Sequence, residues 1–451
     1  KRWRWALLIL VAIVGGAIAI IYAQPLVSEE ELAEAEDRFE DLVAEAERTT
    51  CSRPTLGNAP RLSQEEFQRL LHEELEPCFD TVQDWEALRE PVRSDELGAW
   101  GWTVDRGEST NLMVPPGRTH FVVRHPPAPT GHIPEAVRDA EVACTNLEGF
   151  LAQVAATPDL CTPHDLTRSA DSPLVSVGVR LARASSVVAR KAWRDGDASR
   201  ALEILEHALI TARTLRSGAC DFLYAMISVA TENILISEYQ SVLVGEIPFG
   251  DDVLETHIAA LDTIADAAPS PADYFKYDAV SFVRDFDRSQ PEGQLTVFVA
   301  AREYTPCEPS DNAHQCLAGL PAPVHIDPPS QRLVQLRLFR SRFVTWMVQE
   351  TRGAFAPYVA RVAMADRDLA VLPDLLRVAA DRDRCPPDVS FRSIPGTSGA
   401  TVLDHYSGDQ YELVTPPLSR ATSVNSQTVF NVICPPARAE WGPVEATPAG
   451  P

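Results

Sequence analysis

The chain has 451 residues, with 64 acidic side chains against 40 basic ones and a formal charge of −24 at pH 7. A composition that is 45% hydrophobic and 23% charged excludes wholesale disorder, and the length suffices for roughly two to four domains. The acidic balance argues against nucleic acid as the main partner, because phosphate binding needs a basic face.

Lysine occurs only at Lys1, Lys191 and Lys276, the remaining cations being arginine, a pattern typical of a GC-rich bacterial genome. An acidic, lysine-poor surface stays soluble where salt screens self-repulsion. Proline outnumbers glycine, 36 to 22, so long irregular connections are expected.

Residues 1–24 read as a membrane anchor. Lys1, Arg2 and Arg4 precede an apolar run from Trp5 to Ala23. Such a run of about 19 residues spans roughly 28 Å as a helix, close to the hydrocarbon thickness of a bilayer. Trp3, Trp5 and Tyr22 suit the interfacial belts, and the charge asymmetry places the N-terminus in the cytoplasm. The run is longer than a signal-peptide core, and Ile21-Tyr22-Ala23 is a poor cleavage pattern. The expected location is therefore the bacterial inner membrane, single-pass, with the bulk of the chain periplasmic.

Residues 25–97 form an acidic helical segment. Ser28 to Glu31 is a capping box, and Leu32, Ala35, Phe39, Leu42 and Ala46 follow at heptad-like spacing. That stripe predicts a helix packing on its own domain, or alternatively a stalk or dimerisation helix. A second capping box at Ser63 to Glu66 opens a helix running toward Pro77.

Residues 98–133 carry short strand-like runs and a proline-rich loop, a small β-rich insertion. From 134 to 384 the periodicity predicts an α-helical hairpin domain. Its helices fall over 134–156, 174–194, 198–217, 219–245, 251–268, 271–289, 330–353 and 355–382. Residues 385–437 return to a β texture, and 438–451 form a disordered tail. The fold class expected is mainly α: a transmembrane helix, an α-hairpin body with the β-rich insertion, and a C-terminal β unit stapled by a disulfide.

The nine cysteines support an oxidising compartment. The simplest pairing joins sequential neighbours: Cys51 with Cys78, Cys144 with Cys161, Cys307 with Cys316, and Cys385 with Cys434. Cys220 is left as a buried thiol. Sequence alone does not fix the connectivity, but the lack of any CxxC pair argues against zinc.

In the stretch 194–212, Gly196-Asp197 is followed by Ala201, Leu205, Ala208 and Leu209, which resembles the turn and second helix of one tetratricopeptide repeat. The pattern does not recur, and a solenoid needs several units. The wider order is anchor, helical hairpins, "LPDLLRVAADR" and a terminal strand unit holding Gly408-Asp409-Gln410-Tyr411. It resembles uncharacterised membrane-anchored helical envelope proteins of planctomycetes and myxobacteria. That resemblance implies an architecture and carries no activity.

Candidate chemistry is sparse. His120, His125 and His132 share a proline-rich region but match no metal-ligand spacing. "GTSGA" at 396–400 lacks the order of a nucleophile elbow, and Asp404, His405 and Ser407 are adjacent only in sequence. No phosphate loop or dinucleotide pattern occurs, so no cofactor is implied. Arg332, Arg337, Arg340 and Arg342 form the one basic concentration, a candidate docking row for an acidic partner or a lipid headgroup that would otherwise pair with the chain's own carboxylates. The expected function is an envelope scaffold, structural or protein-binding, whose partners are the membrane through residues 5–23 and another envelope protein. The rival classes are an envelope polymer hydrolase and a lipid- or small-ligand-binding module.

Overall fold

Helix α6 (Leu174–Arg194) turns into α7 (Ala198–Ser217) through a closure written in the sequence. Gly196 adopts φ +85°, a conformation costly for any residue with a Cβ. Its N–H bonds the Trp193 carbonyl at 3.0 Å, and Asp197 N–H bonds Ala192 O at 2.9 Å, ending α6 in a Schellman pattern. The Asp197 carboxylate then accepts from Arg200 N–H at 3.0 Å and caps α7.

The computed structural model describes eight longer stretches: 29–48, 53–83, 135–160, 174–217, 222–244, 251–284, 311–320 and 340–380. It also describes short pieces between 288 and 307, and strand residues within 104–123 and 402–433. The described part is mostly helical. Before the hairpin lie α1 (Glu29–Arg48), α2 (Gln64–Arg69), α3 (Glu76–Thr81), α4 (Glu135–Ala143) and α5 (Leu147–Ala156). After it lie α8 (Phe222–Val244), α9 (Asp251–Asp266), α10 (Pro271–Arg284), α11 (Ala313–Gly319) and α12 (Arg340–Ala380).

Helix α7 is buried on nearly every face, with α5, α6, α8 and α9 packed around it. A repeat helix of a solenoid keeps one side to solvent; this one is the axis of a globular body. Gly178 on α6 permits a close approach of α6 and α8. A Cβ there would lie 2.7 Å from Thr231 Oγ1 on α8.

Two apolar clusters share the long elements. One gathers α2 to α7, the end of α8 from Leu235, α9, and α12 from Leu369 to Leu376. The other gathers α1, the start of α8 from Tyr224 to Val229, α10, α11, and α12 from Ala356 to Ala365. Helices α8 and α12 therefore run from one core into the other.

The stripe on α1 is legible in the outcome. Ala35, Phe39, Leu42 and Ala46 are buried, and the helix packs on α10 of its own chain. Glu45 pairs with Lys276 at 2.8 Å and Glu40 with Arg288 at 2.9 Å, while the Arg288 guanidinium lies 4.7 Å from the Phe39 ring centre.

Several expectations are corrected. Among the described residues no helix is long and apolar enough to cross a membrane, which overturns the single-pass fold class and the inner-membrane location as stated. The run 5–23 itself lies outside the described residues.

Nor is residues 98–133 a β-rich unit of its own. Its described residues are β1 (Val104–Asp105), β2 (Arg118–His120) and β3 (Val122–Val123). β1 pairs antiparallel with β3. β2 instead runs parallel to β6 (Gln427–Ile433), Arg118 opposite Gln427, in a sheet ordered β2-β6-β5-β4. That sheet includes β4 (Val402–Ser407) and β5 (Gln410–Val414), and β6 rests on α8 and α12. A segment distant in sequence thus completes it, and the expected staple, Cys385 and Cys434, lies outside the described residues.

The helix expected over 134–156 is broken at Thr145-Asn146 into α4 and α5. The two helices expected after residue 330 are one, α12, with Pro357 and Pro373 inside it. An interior proline costs about 3 kcal/mol through its lost N–H and ring clash, and burial of α12 from Ala356 to Leu376 in the two cores offsets that cost.

Candidate functional site

The titratable groups that converge most closely do so at the seam between the two cores. Arg213 and Arg216 stand one turn apart near the end of α7, Glu232 lies midway along α8, and Asp366 lies midway along α12. Arg216 donates Nη1 to Asp366 Oδ1 at 2.8 Å and Nη2 to Asp366 Oδ2 at 3.0 Å, a bidentate grip. The same guanidinium reaches Glu232 Oε2 at 2.9 Å and, through Nε, the Tyr274 hydroxyl of α10 at 2.9 Å. Arg213 adds Nη1 to Asp366 Oδ1 at 2.8 Å and lies 3.5 Å from Glu232 Oε1.

Burial is near complete, with side-chain exposures of 1% for Arg213, 0% for Arg216 and Glu232, and 11% for Asp366. Two cations face two carboxylates, so the network carries no net charge into the interior, the condition under which buried ions are tolerated. Burial pushes the Asp366 carboxyl up, but Arg216 and Arg213 outweigh it and hold it at about 2. Burial likewise opposes the charge on Arg216, and Asp366 and Glu232 together raise its pKa well above the usual value. The next residues of α12 repeat the pattern, Arg367 donating to Asp368 Oδ1 at 2.9 and 2.7 Å.

On one side the network meets His314 of α11, 3% exposed, whose two ring nitrogens have no hydrogen-bond partner among the described residues. Burial lowers its pKa to about 4; Asp366 acts upward and Arg367 downward. Asn312 caps α11 in a reciprocal box with Gln315, and Cys316 bonds Cys307, so this short helix is pinned at both ends.

A second constellation joins α7, α8 and α9. His257 Nδ1 lies 2.8 Å from Glu206 Oε2, and a carboxylate acceptor places the proton on Nδ1. The His257 ring stacks on Tyr239 with centroids 5.6 Å apart. His257 Nε2 and the Tyr239 hydroxyl meet no partner among the described residues. A carboxylate-oriented imidazole is the arrangement of a general base. Here the ring is 4% exposed and the phenol 0%, so neither is open to a substrate from solution. Arg190 grips Glu238 with two bonds of 2.8 Å on the neighbouring turn.

Sequence reasoning named neither cluster. The signal available was an isolated charge inside an apolar helix: Arg213 and Arg216 in "ALITARTLRS" and Glu232 in "SVATENILIS".

Of the residues it did name, Cys307 pairs with Cys316 as expected. Cys78, however, pairs with Cys144, Cα atoms 4.6 Å apart, because α3 packs against α4. The sequential pairs Cys51–Cys78 and Cys144–Cys161 are therefore excluded. Cys51, Cys161, Cys220, Cys385, Cys434, Arg332 and Arg337 lie outside the described residues. Arg340 and Arg342 fall on the first turn of α12, and His120 on β2, with side chains outside the description. No group of three or more His, Cys, Asp or Glu among the described residues is placed to hold a metal ion.

Compared with protein-family models, curated proteins and solved structures, the chain shows no match. The resemblance to anchored helical envelope proteins therefore rests on its sequence features alone.

Proposed function

We propose that the chain is a structural, protein-binding helical scaffold, and that α1 is its contact face. The observation that carries this reading is the two-sidedness of α1. Its apolar stripe is seated on α10, while Glu30, Glu34, Asp37 and Asp41 form an exposed stripe at spacings of 4, 3 and 4 on the opposite side. Residues at such spacings line one helix face. A helix fixed by its own domain presents that row with little ordering cost on binding.

The charge calls for a basic protein surface as partner, with association that weakens as salt rises. A scaffold role also fits the interior, where the converging ions are occupied by each other. The test is crosslinking of the full chain to its partner, with crosslinked peptides identified by mass spectrometry. A variant carrying Glu30→Lys, Glu34→Lys, Asp37→Lys and Asp41→Lys should keep the wild-type circular dichroism and lose the partner recovered by the wild type. Crosslinks that fall elsewhere, or a partner retained by the variant, would refute the reading.

A further inference from the structure

Helix α11 carries a buried group that its packing leaves unsatisfied. His314 is 3% exposed, and neither ring nitrogen has a hydrogen-bond partner among the described residues. An imidazole so placed opposes the seating of the helix that bears it. From α12, on which α11 packs, Asp366 and Arg367 act on the ring in opposite senses. Seven residues are also too few for a helix to be stable by itself. Helix α11 is seated by burial of Ala313, Cys316 and Leu317, by the Asn312–Gln315 box, and by the Ser270 hydroxyl donating to Asp311 O at 2.8 Å. The Cys307–Cys316 bond adds a covalent tie.

The two disulfides among the described residues sit in different surroundings. Cys78 and Cys144 are packed into the first core with Phe79, Val137, Ala140 and Leu147, and their bond spans 66 residues. Cys307–Cys316 spans 9 residues and closes on the short helix itself. A thiolate must reach a sulfur to exchange with it, and a short element opens locally at lower cost than a core does. Cys307, at 6% exposure against 1% for Cys316, is the sulfur met first.

We propose that Cys307–Cys316 is a redox clasp: a dithiol reductant opens it ahead of Cys78–Cys144, and α11 then lifts from α12 and uncovers His314. A reductant thiolate attacks Cys307 Sγ and the Cys316 thiolate leaves. The second reductant thiol, as thiolate, releases Cys307 and closes the reductant's own disulfide. Two electrons and two protons pass to the two cysteines, which end as thiols.

The experiment titrates the full chain with dithiothreitol at neutral pH, alkylating free thiols at intervals and following amide exchange in the same samples. Cys307 and Cys316 should be alkylated before Cys78 and Cys144. Exchange over Ala313–Gly319 should quicken by about a hundredfold, the loop-closure contribution of a bond of this span, while α7 stays protected. Diethyl pyrocarbonate, which modifies accessible imidazoles, should label His314 in the reduced chain and leave it unlabelled in the oxidised one. A Cys307→Ser, Cys316→Ser chain should behave as the reduced protein, and a Cys78→Ala, Cys144→Ala chain should keep His314 unlabelled. Labelling of His314 in the oxidised wild type, its protection in the reduced wild type, or loss of α7 protection together with α11 would each overturn the inference. The wild-type titration decides the matter even where a variant fails to fold.

Discussion

Asp366 is the residue on which the interior turns, since it accepts from both arginines of α7 at once. Asp366→Asn leaves two buried guanidinium groups under-compensated, and breaking such a pair costs about 3–5 kcal/mol. Urea denaturation should show a loss of that order. Arg216→Met should cost more than Arg213→Met, because Arg216 makes four of the contacts and Arg213 one hydrogen bond.

His314 supplies a pH dependence. Its folded pKa, about 4, lies below the ordinary 6.5, so between those values the unfolded chain holds the extra proton. Stability therefore falls as pH drops from 6.5 toward 4, by up to about 3 kcal/mol for the full shift. Denaturation midpoints measured across that window should slope downward in the wild type and less steeply in His314→Gln, the remaining slope coming from His207 and His72, whose pKa values burial also lowers. Asp366 has the opposite origin: a carboxyl held down to about 2 contributes stability above 3.8 that disappears as pH falls from 3.8 toward 2. These roles were hidden in the sequence because a lone arginine in an apolar helix names no partner. The partners stand 16 and 150 residues away.

Among the elements, those governed by local signals were the legible ones. Gly196-Asp197 and the 3.6-residue period give α6 and α7 their bounds, and Ser63 caps α2 through Glu66 N–H at 3.1 Å. What local signals could not supply was tertiary choice. The break expected between 353 and 355 is absent from the continuous α12, and β2 joins a strand about 300 residues further on, for which no periodicity exists.

Two variants probe the packing. Gly178→Ala places a methyl 2.7 Å from Thr231 Oγ1, between helices α6 and α8 that have little room to part. It should lower stability by about 1–3 kcal/mol, read as a fall in thermal midpoint. Replacing Cys78 and Cys144 together by Ala removes a bond of sequence separation 66 and should cost about 2–5 kcal/mol in unreduced protein.

On the scale of the molecule, the body is two apolar cores joined at a charged seam, with an acidic helix strapped to one of them. The helical class was readable from composition and periodicity. The seam was not, because it exists only where α7, α8, α10 and α12 meet. Burial of all four network side chains separates structure from recognition: the seam joins the two cores, and recognition is what the proposed function assigns to the exposed stripe of α1.

The most direct measurement of that separation is partner binding by the Asp366→Asn chain at a temperature below its own melting midpoint. A lowered midpoint with partner affinity unchanged is the result expected of a structural seam. A wild-type midpoint with the partner lost would contradict it, and would make the buried ions part of the functional site.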